Sequence, residues 1–409
     1  MNPIIYVIPV FLATILLEVA IAHYKGRKLY NLPDAITSMH IGMLSQLIGV
    51  FTKLANIGLY IVVHQQFSTG SWSLESPLLW VIALVMYDFF YYWKHRMGHE
   101  VSVLWAAHIA HHSSEYFNLS TALRQSSTGA LFSWMFYIPM AVVGVPPKMF
   151  ITVALIDLLY QYWVHTELIG KLGWMEKIFV TPSNHRVHHG QNDYCIDVNY
   201  GGIFIIWDRL FGTYADERDD EKVCFGVRKP LNSLNPVWAN LHYYVELWQR
   251  SRQAHGLRAK MDVWFGPPGG WTDQPLNHFE PLAFKRFDVP TPKPLLRYAV
   301  AHYVVLFAVL AHFLAVFPVM SAAQAGLYAL WVVCGLTALC LMMQGKRLGR
   351  WLELARLLVA ATSVAVQPQW FGSELAAPLQ IAIAAAALAS LVWVSLQRMN
   401  FSGQQVVTA

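Results

Sequence analysis

Charged residues are scarce in this chain. Asp, Glu, Lys and Arg make up 13% of its 409 residues, against about 25% in soluble domains. The hydrophobic share is 56% and the mean hydropathy is +0.39. This balance excludes an ordinary soluble domain and is typical of an integral membrane protein. The net charge of +5 does not indicate a nucleic-acid partner, because the basic residues lie in short loops beside apolar segments, as the positive-inside rule predicts.

Cysteine is also scarce, with four residues and no C-x-x-C pair. This pattern does not suit a disulfide framework. The apolar N-terminal segment has no basic region before it and no clear cleavage site of small residues, so we expect an uncleaved first span. We find no convincing internal repeat.

Long apolar segments dominate the rest of the chain, and about 20 apolar residues suffice to span a bilayer core. We predict nine spans, near residues 3–23, 37–64, 77–94, 129–145, 148–165, 296–318, 322–344, 352–366 and 375–396. The polar stretch at 166–295 should lie outside the lipid. The predicted fold is an all-α integral membrane protein, a multi-span helical bundle with a cytosolic helical cap that holds a histidine-rich dimetal site. The predicted domains are 1–76 (N-terminal spans), 77–290 (catalytic core) and 291–409 (C-terminal spans).

Nine of the 17 histidines fall into a pattern. Eight form three tight groups, HRMGH, HIAHH and HRVHH, and one stands alone in YWVHTE. They are His95 and His99; His108, His111 and His112; His185, His188 and His189; and His165. Spacings of three and four residues place imidazoles on one face of a helix. Because a zinc or iron ion takes four to six ligands, nine converging imidazoles indicate two metals.

The topology of the spans tests this interpretation. The first two groups follow span three, and a two-span hairpin returns the chain to the same face before His165 and the third group. Basic residues fall on that face too: Lys25, Arg27, Lys28, Lys346, Arg347, Arg350 and Arg398. The opposite-face loops FSTGSWSLES and QPQWFGSE have no Lys or Arg, and Lys148 is the exception. We therefore expect the histidines at the cytoplasmic face of a bacterial inner membrane or the endoplasmic reticulum.

The residue types also favour one chemistry. A site built of imidazole alone suits iron, copper and zinc, and it tolerates oxidants because no thiolate is present to be oxidised. Asp88 lies two turns before His95 on the same helical stripe, so we expect it to orient a ligand imidazole. Asp157 and Gln161 lie eight and four residues before His165 and are candidates for contact with that histidine. For Asp157, a hydrogen bond between helices is an equally good interpretation. Arg96, Arg124 and Arg186 are candidates for lipid phosphate or follow the positive-inside rule.

Two segments together resemble one known family. DFFYYWKHRMGHEVSVLWAAHIAHHSSEYFNLSTALRQS (88–126) and TPSNHRVHHGQNDYCIDVNYGGIFIIWDRLFGTYADE (181–217) are similar to the fatty acid hydroxylase and sterol desaturase superfamily, and within it to the alkylglycerol monooxygenases. The later WFGPPGGW is similar to the end of that core. The similarity covers about residues 80–275.

The resemblance implies a diiron centre whose ligands are the eight histidines of the three groups, with His165 as an extra ligand. It implies O₂ and tetrahydrobiopterin as co-substrates, hydroxylation of the ether-linked carbon of an alkylglycerol, and release of a fatty aldehyde and glycerol. Glu100 matches a glutamate of that family and is a candidate for a catalytic role toward the cofactor. Gln161 stands where several superfamily members have a further histidine. Asn184 is a candidate to orient a ligand imidazole without binding the metal itself.

Two alternatives stay open. A sterol desaturase or a fatty acid hydroxylase, reduced by a ferredoxin or a cytochrome, would use the same histidines. A non-enzymatic metal carrier would place its ligands near the middle of the bilayer along a path, whereas these lie at one face. The other eight histidines are expected to be ordinary surface or core residues: His23, His40, His64, His242, His255, His278, His302 and His312.

Overall fold

The computed structural model describes residues 4–270, 278–367 and 369–397, and this part of the chain is mostly helical. Arg398 and Trp271, the last residue of WFGPPGGW, lie outside it. The N-terminal half contains five long helices: α1 (Ile4–Tyr24), α2 (Leu32–Phe67), α3 (Pro77–Glu100), α7 (Ala130–Val142) and α8 (Pro147–Trp163). Short helices connect them: α4 (Ser102–Ala106), α5 (Ile109–His112) and α6 (Leu119–Ala122).

A region of helices and loops follows. It contains α9 (Pro182–His188), α10 (Ile206–Phe211), α11 (Pro236–Gln253) and α12 (Leu257–Phe265), with 3-10 turns at Gly173–Lys177, Asp193–Cys195 and Pro281–Ala283. Four long helices end the described chain: α13 (Lys293–Val316, extended by a 3-10 turn at Phe317–Val319), α14 (Ala322–Met343), α15 (Arg347–Val366) and α16 (Ala377–Leu396). Two short antiparallel strands, β1 (Gln369–Trp370) and β2 (Ser373–Glu374), pair Gln369 with Glu374 and Trp370 with Ser373.

Each of the nine apolar segments predicted from the sequence coincides with a helix of the described chain. Four of them are long and apolar enough to cross a membrane: α2, α13 with its 3-10 turn, α14 and α16. Helix α7 and the part of α1 from Pro9 to Tyr24 are apolar but shorter. The chain is therefore an integral membrane protein in which four spans are supported by length and composition, and the other five stay predictions.

Local sequence explains where the helices begin. The Asn31 side chain caps α2 by accepting the Asp34 N–H at 3.1 Å, and Pro33 occupies the first turn, where no amide hydrogen is needed. The two largest hydrophobic cores lie among α2, α3, α7 and α8 and among the C-terminal helices with α2. The second core encloses an ion pair, in which Arg356 Nε donates to Glu353 Oε2 at 2.9 Å. Helix α2 contributes to both cores and so joins the two halves.

Candidate metal centre

The histidines are carried by four separate pieces of the chain. Helix α3 carries His95 and His99 one turn apart in its last two turns. The second group begins at the residue before α5 and ends with its last residue. His165 lies two residues beyond α8. His185 and His188 lie in α9, and His189 is the residue that follows this helix.

The structure brings all nine predicted histidines together. They divide into two adjacent groups, and within each group the candidate ligand atoms lie within 4.8 Å of one another. The five-histidine group is His95, His99, His108, His112 and His188, and the four-histidine group is His111, His165, His185 and His189. The groups touch: the rings of His112 and His189 stack at 4.3 Å. Groups of five and four ligands fit two metal ions, each within the usual range.

Backbone carbonyls decide which ring nitrogen points inward. His111 Nδ1 lies 2.9 Å from the carbonyl oxygen of Arg124, and His165 Nδ1 lies 2.7 Å from that of Gln161. A carbonyl oxygen can only accept, so each Nδ1 carries the hydrogen and each Nε2 carries a lone pair. His95 and His188 are oriented in the same way, by the carbonyls of residues 200 and 198 at 2.8 and 3.0 Å. This is how proteins usually fix metal-ligating imidazoles.

Several of the inward nitrogens have no hydrogen-bond donor. Nε2 of His165 and Nε2 of His111 are 3.4 Å apart, and both carry lone pairs under the assignment above. Two lone pairs cannot hydrogen-bond to each other. Among the described residues, His99 Nε2 and His188 Nε2 are likewise buried without a partner. A cation between the rings would satisfy these atoms, so the donor set fits metal binding.

Burial keeps the imidazoles in the form that binds metal. Desolvation lowers the pKa of His111 to about 4, and the hydrogen bond to the Arg124 carbonyl opposes that shift. Desolvation and neighbouring imidazoles hold the pKa of His185 and His189 well below the usual value. Neutral imidazole is the ligating form, because the proton and the metal compete for the same lone pair.

A loop at residues 196–205, here the carbonyl loop, supports the five-histidine group. It supplies the carbonyls of Val198 and Tyr200, and Asp197 Oδ1 lies 3.8 Å from His99 Nδ1. Asp197 and Asn199 have left-handed backbone with φ of 55° and 60°. The Asn199 amide stabilises that conformation by donating to the carbonyls of residues 184 and 215. Outer contacts to three of the five imidazoles therefore come from one loop.

Asp88 acts on this loop and does not contact an imidazole directly, which corrects the expectation from helical spacing. Its carboxylate accepts the backbone N–H groups of Ile203 at 2.6 Å and Phe204 at 3.1 Å, and the indole N–H of Trp207 at 2.8 Å. The carboxylate is fully buried. Asp88 therefore reaches His95 only through the loop, whose Tyr200 carbonyl accepts from that imidazole.

Sequence reasoning missed two further residues of this support. Asp208, in α10, accepts the N–H groups of Tyr200 and Gly201 at 2.7 and 2.8 Å, and burial raises its pKa to about 6. Gly202 passes so close to two acids that an added Cβ would lie 2.6 Å from Asp157 Oδ1 and 2.8 Å from Asp88 Oδ1. The available signals were a Gly-Gly pair and one acid inside an apolar run.

Asp157 contacts the carboxyl group of Asp88 on α3, as the alternative of a hydrogen bond between helices predicts, and it also makes a hydrogen bond within α8. Asp157 Oδ2 accepts from Gln161 Nε2 at 2.5 Å, and Gln161 Oε1 accepts from the Tyr91 hydroxyl at 2.6 Å. The Gln161 side chain is thus committed to α3 and to its own helix, while its backbone carbonyl orients His165. Asn184 pairs with Thr181 in a reciprocal cap at the start of α9 and so positions the third histidine group.

The remaining candidates have protein partners. Glu100 Oε1 accepts from Arg96 Nε at 2.8 Å and is about one-third exposed. Arg186 makes two 2.7 Å bonds to Glu217. Arg124 is buried and lies 3.7 Å from Asp34. Three arginines that the sequence offered for lipid phosphate are therefore paired with carboxylates of the chain.

Comparisons with known proteins define the class and then the family. The fatty acid hydroxylase family model matches residues 80–213, which contain all nine histidines. Alkylglycerol monooxygenase of Danio rerio is 45% identical over 267 residues, covering 64% of this chain and 58% of the relative. That of Homo sapiens is 42% identical over 268 residues, covering 65% and 60%. That of Xenopus tropicalis is 38% identical over 356 residues, covering 85% and 79%.

The chain belongs to the alkylglycerol monooxygenase family, as the resemblance of its motifs predicted. The alignments span about three fifths of the length of the first two relatives. No solved structure matches the chain.

Proposed function

We propose that the chain is a membrane diiron monooxygenase, an oxidoreductase that hydroxylates an alkyl-chain lipid. The observation that carries this proposal is the pair of buried groups made of histidine alone, with four imidazoles oriented by carbonyls. Iron held there would supply O₂ activation and the oxidising power to break a carbon–hydrogen bond. The chain keeps its imidazoles neutral by burial and offers no thiolate that an oxidant would destroy.

The substrate we propose is an alkylglycerol, because the relatives carry the name alkylglycerol monooxygenase. One oxygen atom of O₂ would be inserted at the ether-linked CH₂. The other would leave as water, using two electrons and two protons from a reductant. The resulting hemiacetal would break its carbon–oxygen bond to give a fatty aldehyde and glycerol.

The reductant we propose is tetrahydrobiopterin, with Glu100 as a residue that contacts it. Glu100 follows His99 directly at the end of α3, and its side chain is partly exposed while the neighbouring imidazole is buried. A partly exposed carboxylate beside the five-histidine group is well placed to accept hydrogen bonds from a polar heterocycle. Its bond to Arg96 would have to be shared or exchanged on binding.

The site would face the cytoplasm, and the domain division at residues 77 and 290 belongs to the same proposal. Two contacts support the cytoplasmic orientation. Arg27, in the basic loop after α1, donates to the Glu167 carbonyl at 2.7 Å, two residues from His165. Gln344, at the end of α14 and beside the basic residues 346–350, accepts from the Leu234 N–H at 3.3 Å. The first basic loop therefore adjoins His165, and the second adjoins the segment that precedes α11.

The test uses the full chain in lipid nanodiscs. We expect two iron atoms per chain by elemental analysis, and fatty aldehyde from an alkylglycerol when O₂ and tetrahydrobiopterin are both present. Hydroxylated or desaturated lipid formed only with a ferredoxin- or cytochrome-type donor would support the hydroxylase or desaturase alternative. Bound metal without any O₂ consumption would contradict the proposal and favour a carrier.

A further inference from the structure

Helices α11 and α12 each expose an apolar stripe. On α11 the stripe is Trp238, Leu241, Val245 and Trp248, spaced so that all four lie on one side of the helix. On α12 it is Leu257, Met261 and Phe265, each one turn after the last. These side chains are between 37% and 75% exposed. Two consecutive amphipathic helices with tryptophan on the apolar side are typical of segments that lie in a membrane interface.

The opposite sides of these helices are occupied. Ala239, Tyr243 and Leu247 of α11 and Val263 of α12 are buried, and the last three pack with Ala106 and Ile109. Ile109 begins α5, the helix that carries His111 and His112. The described chain therefore leaves the outer stripes exposed, while the inner faces pack against the metal-binding region.

Hydrogen bonds place α11 at the level where long helices end. The Gln344 side chain, just beyond α14, accepts from Leu234 and donates to the Asn232 carbonyl, immediately before α11. The Asn240 side chain accepts from the Ser127 N–H at 2.7 Å, three residues before α7 begins. Since α14 is long and apolar enough to cross a membrane, its end marks the boundary of the lipid.

Charge favours one occupant for the exposed stripes. Arg250, Arg252, Arg258 and Lys260 are all exposed, and no acid occurs between Leu247 and Met261. Cations beside an apolar helical face attract anionic lipid headgroups, while the apolar face enters the acyl boundary. A second copy of this chain would bring the same four cations together.

We propose that α11 and α12 lie in the plane of the membrane, with their apolar stripes in the lipid and the basic segment 250–260 on anionic headgroups. This modifies the expectation that the whole stretch 166–295 lies outside the lipid. It also places the helix that carries His111 and His112 directly above the headgroup layer. The inference does not depend on the reaction that the site catalyses.

The experiment is spin labelling of the full chain in nanodiscs. Labels at Leu241→Cys and Met261→Cys should collide more with O₂ than with a water-soluble nickel complex. A label at Asp219→Cys, a side chain 91% exposed on a loop, should show the opposite ratio. The unsubstituted chain, labelled in parallel, measures the background from its own cysteines.

A second variant tests the headgroup contact. Arg258→Glu with Lys260→Glu should shift the Met261 label toward water in nanodiscs that contain phosphatidylglycerol, and leave it unchanged in phosphatidylcholine alone. An equal ratio at Leu241 and Asp219 would overturn the membrane assignment. Dipolar broadening between labels on two chains would overturn it in favour of a second copy. A Met261 label unmoved by charge reversal in both lipids would exclude the headgroup contact.

Discussion

The two histidine groups are oriented by different parts of the chain. In the four-histidine group the carbonyls come from Gln161, in α8, and Arg124, just after α6, close in sequence to the imidazoles they orient. In the five-histidine group they come from the carbonyl loop, which lies about a hundred residues from His95 and is held by Asp88 and Asp208. A change in the loop should therefore affect one metal and spare the other.

The largest effect is expected when one ligand is removed from either histidine group, in separate variants. We expect His165→Ala to lower activity at least about 100-fold and to lose one iron per chain, because three imidazoles remain. His108→Ala leaves four, so it should retain more iron. Elemental analysis and aldehyde formation measure both, and His242→Ala on α11 is the control. Equal iron loss in the two variants would contradict the division into five and four ligands.

Acid should destabilise the metal-free chain through its buried histidines. The pKa of His111 in the folded chain is about 4, below the value of about 6.5 expected when unfolded. The unfolded chain thus binds more protons between these values. Stability is complete above about pH 6.5 and falls toward pH 4, by up to about 1.4 kcal/mol per pH unit for each such group. Thermal melting of chelator-treated protein from pH 7 to 5 measures this. A melting temperature that rises on acidification would refute it.

Weakening the support of the carbonyl loop should lower the iron affinity of the five-histidine group alone. Asp88→Asn keeps the shape but removes the charge that three N–H donors share, so the five-histidine group should bind iron about 10- to 100-fold more weakly. The four-histidine group should keep its affinity. Chelator titration followed by iron analysis should then show one early and one late release. Asp219→Asn is the surface control, and simultaneous release of both irons would argue against a selective role.

The smallest effect, a loss of stability, is expected at Gly202, where the carbonyl loop passes close to Asp88 and Asp157. Gly202→Ala would force a methyl group against Asp157 and Asp88, at a cost of about 1–3 kcal/mol in stability. Gly170→Ala is the matched control, because an added Cβ there meets nothing within 4 Å. Melting temperatures of the two variants are compared in the same detergent, and Gly202→Ala should melt at the lower temperature. Equal values would show that the loop yields without strain.

The sequence predicted the histidine centre better than its support. Spacings of three and four residues are local, so helix geometry alone keeps the histidines of HRMGH, HIAHH and HRVHH close to one another within each segment. Their division into groups of five and four comes from the fold. The carbonyls of Val198 and Tyr200 could not be predicted, because every residue has a carbonyl and only the fold decides which one meets His95 or His188. The helical stripe pointed to Asp88, but its partners lie 115 and more residues away.

The membrane assignment shows the same limit. Apolar runs located nine helices of the described chain, since hydropathy is a property of each segment. The composition of residues 166–295 is polar on average, and that average hid the stripes of α11 and α12. A stripe can be read from the sequence once a helix is assumed, but whether that face is covered by protein depends on the packing of Tyr243 and Leu247.

Main-chain orientation of the ligands has an evolutionary consequence. Substitution at residues 124, 161, 198 or 200 leaves an acceptor oxygen in place, because any amino acid supplies one. Drift at these four positions can therefore alter side chains without changing the tautomer of the adjacent histidine. Selection should act instead on the path of the chain, at Asp88, Asp208 and Gly202, whose loss would move the oxygens themselves.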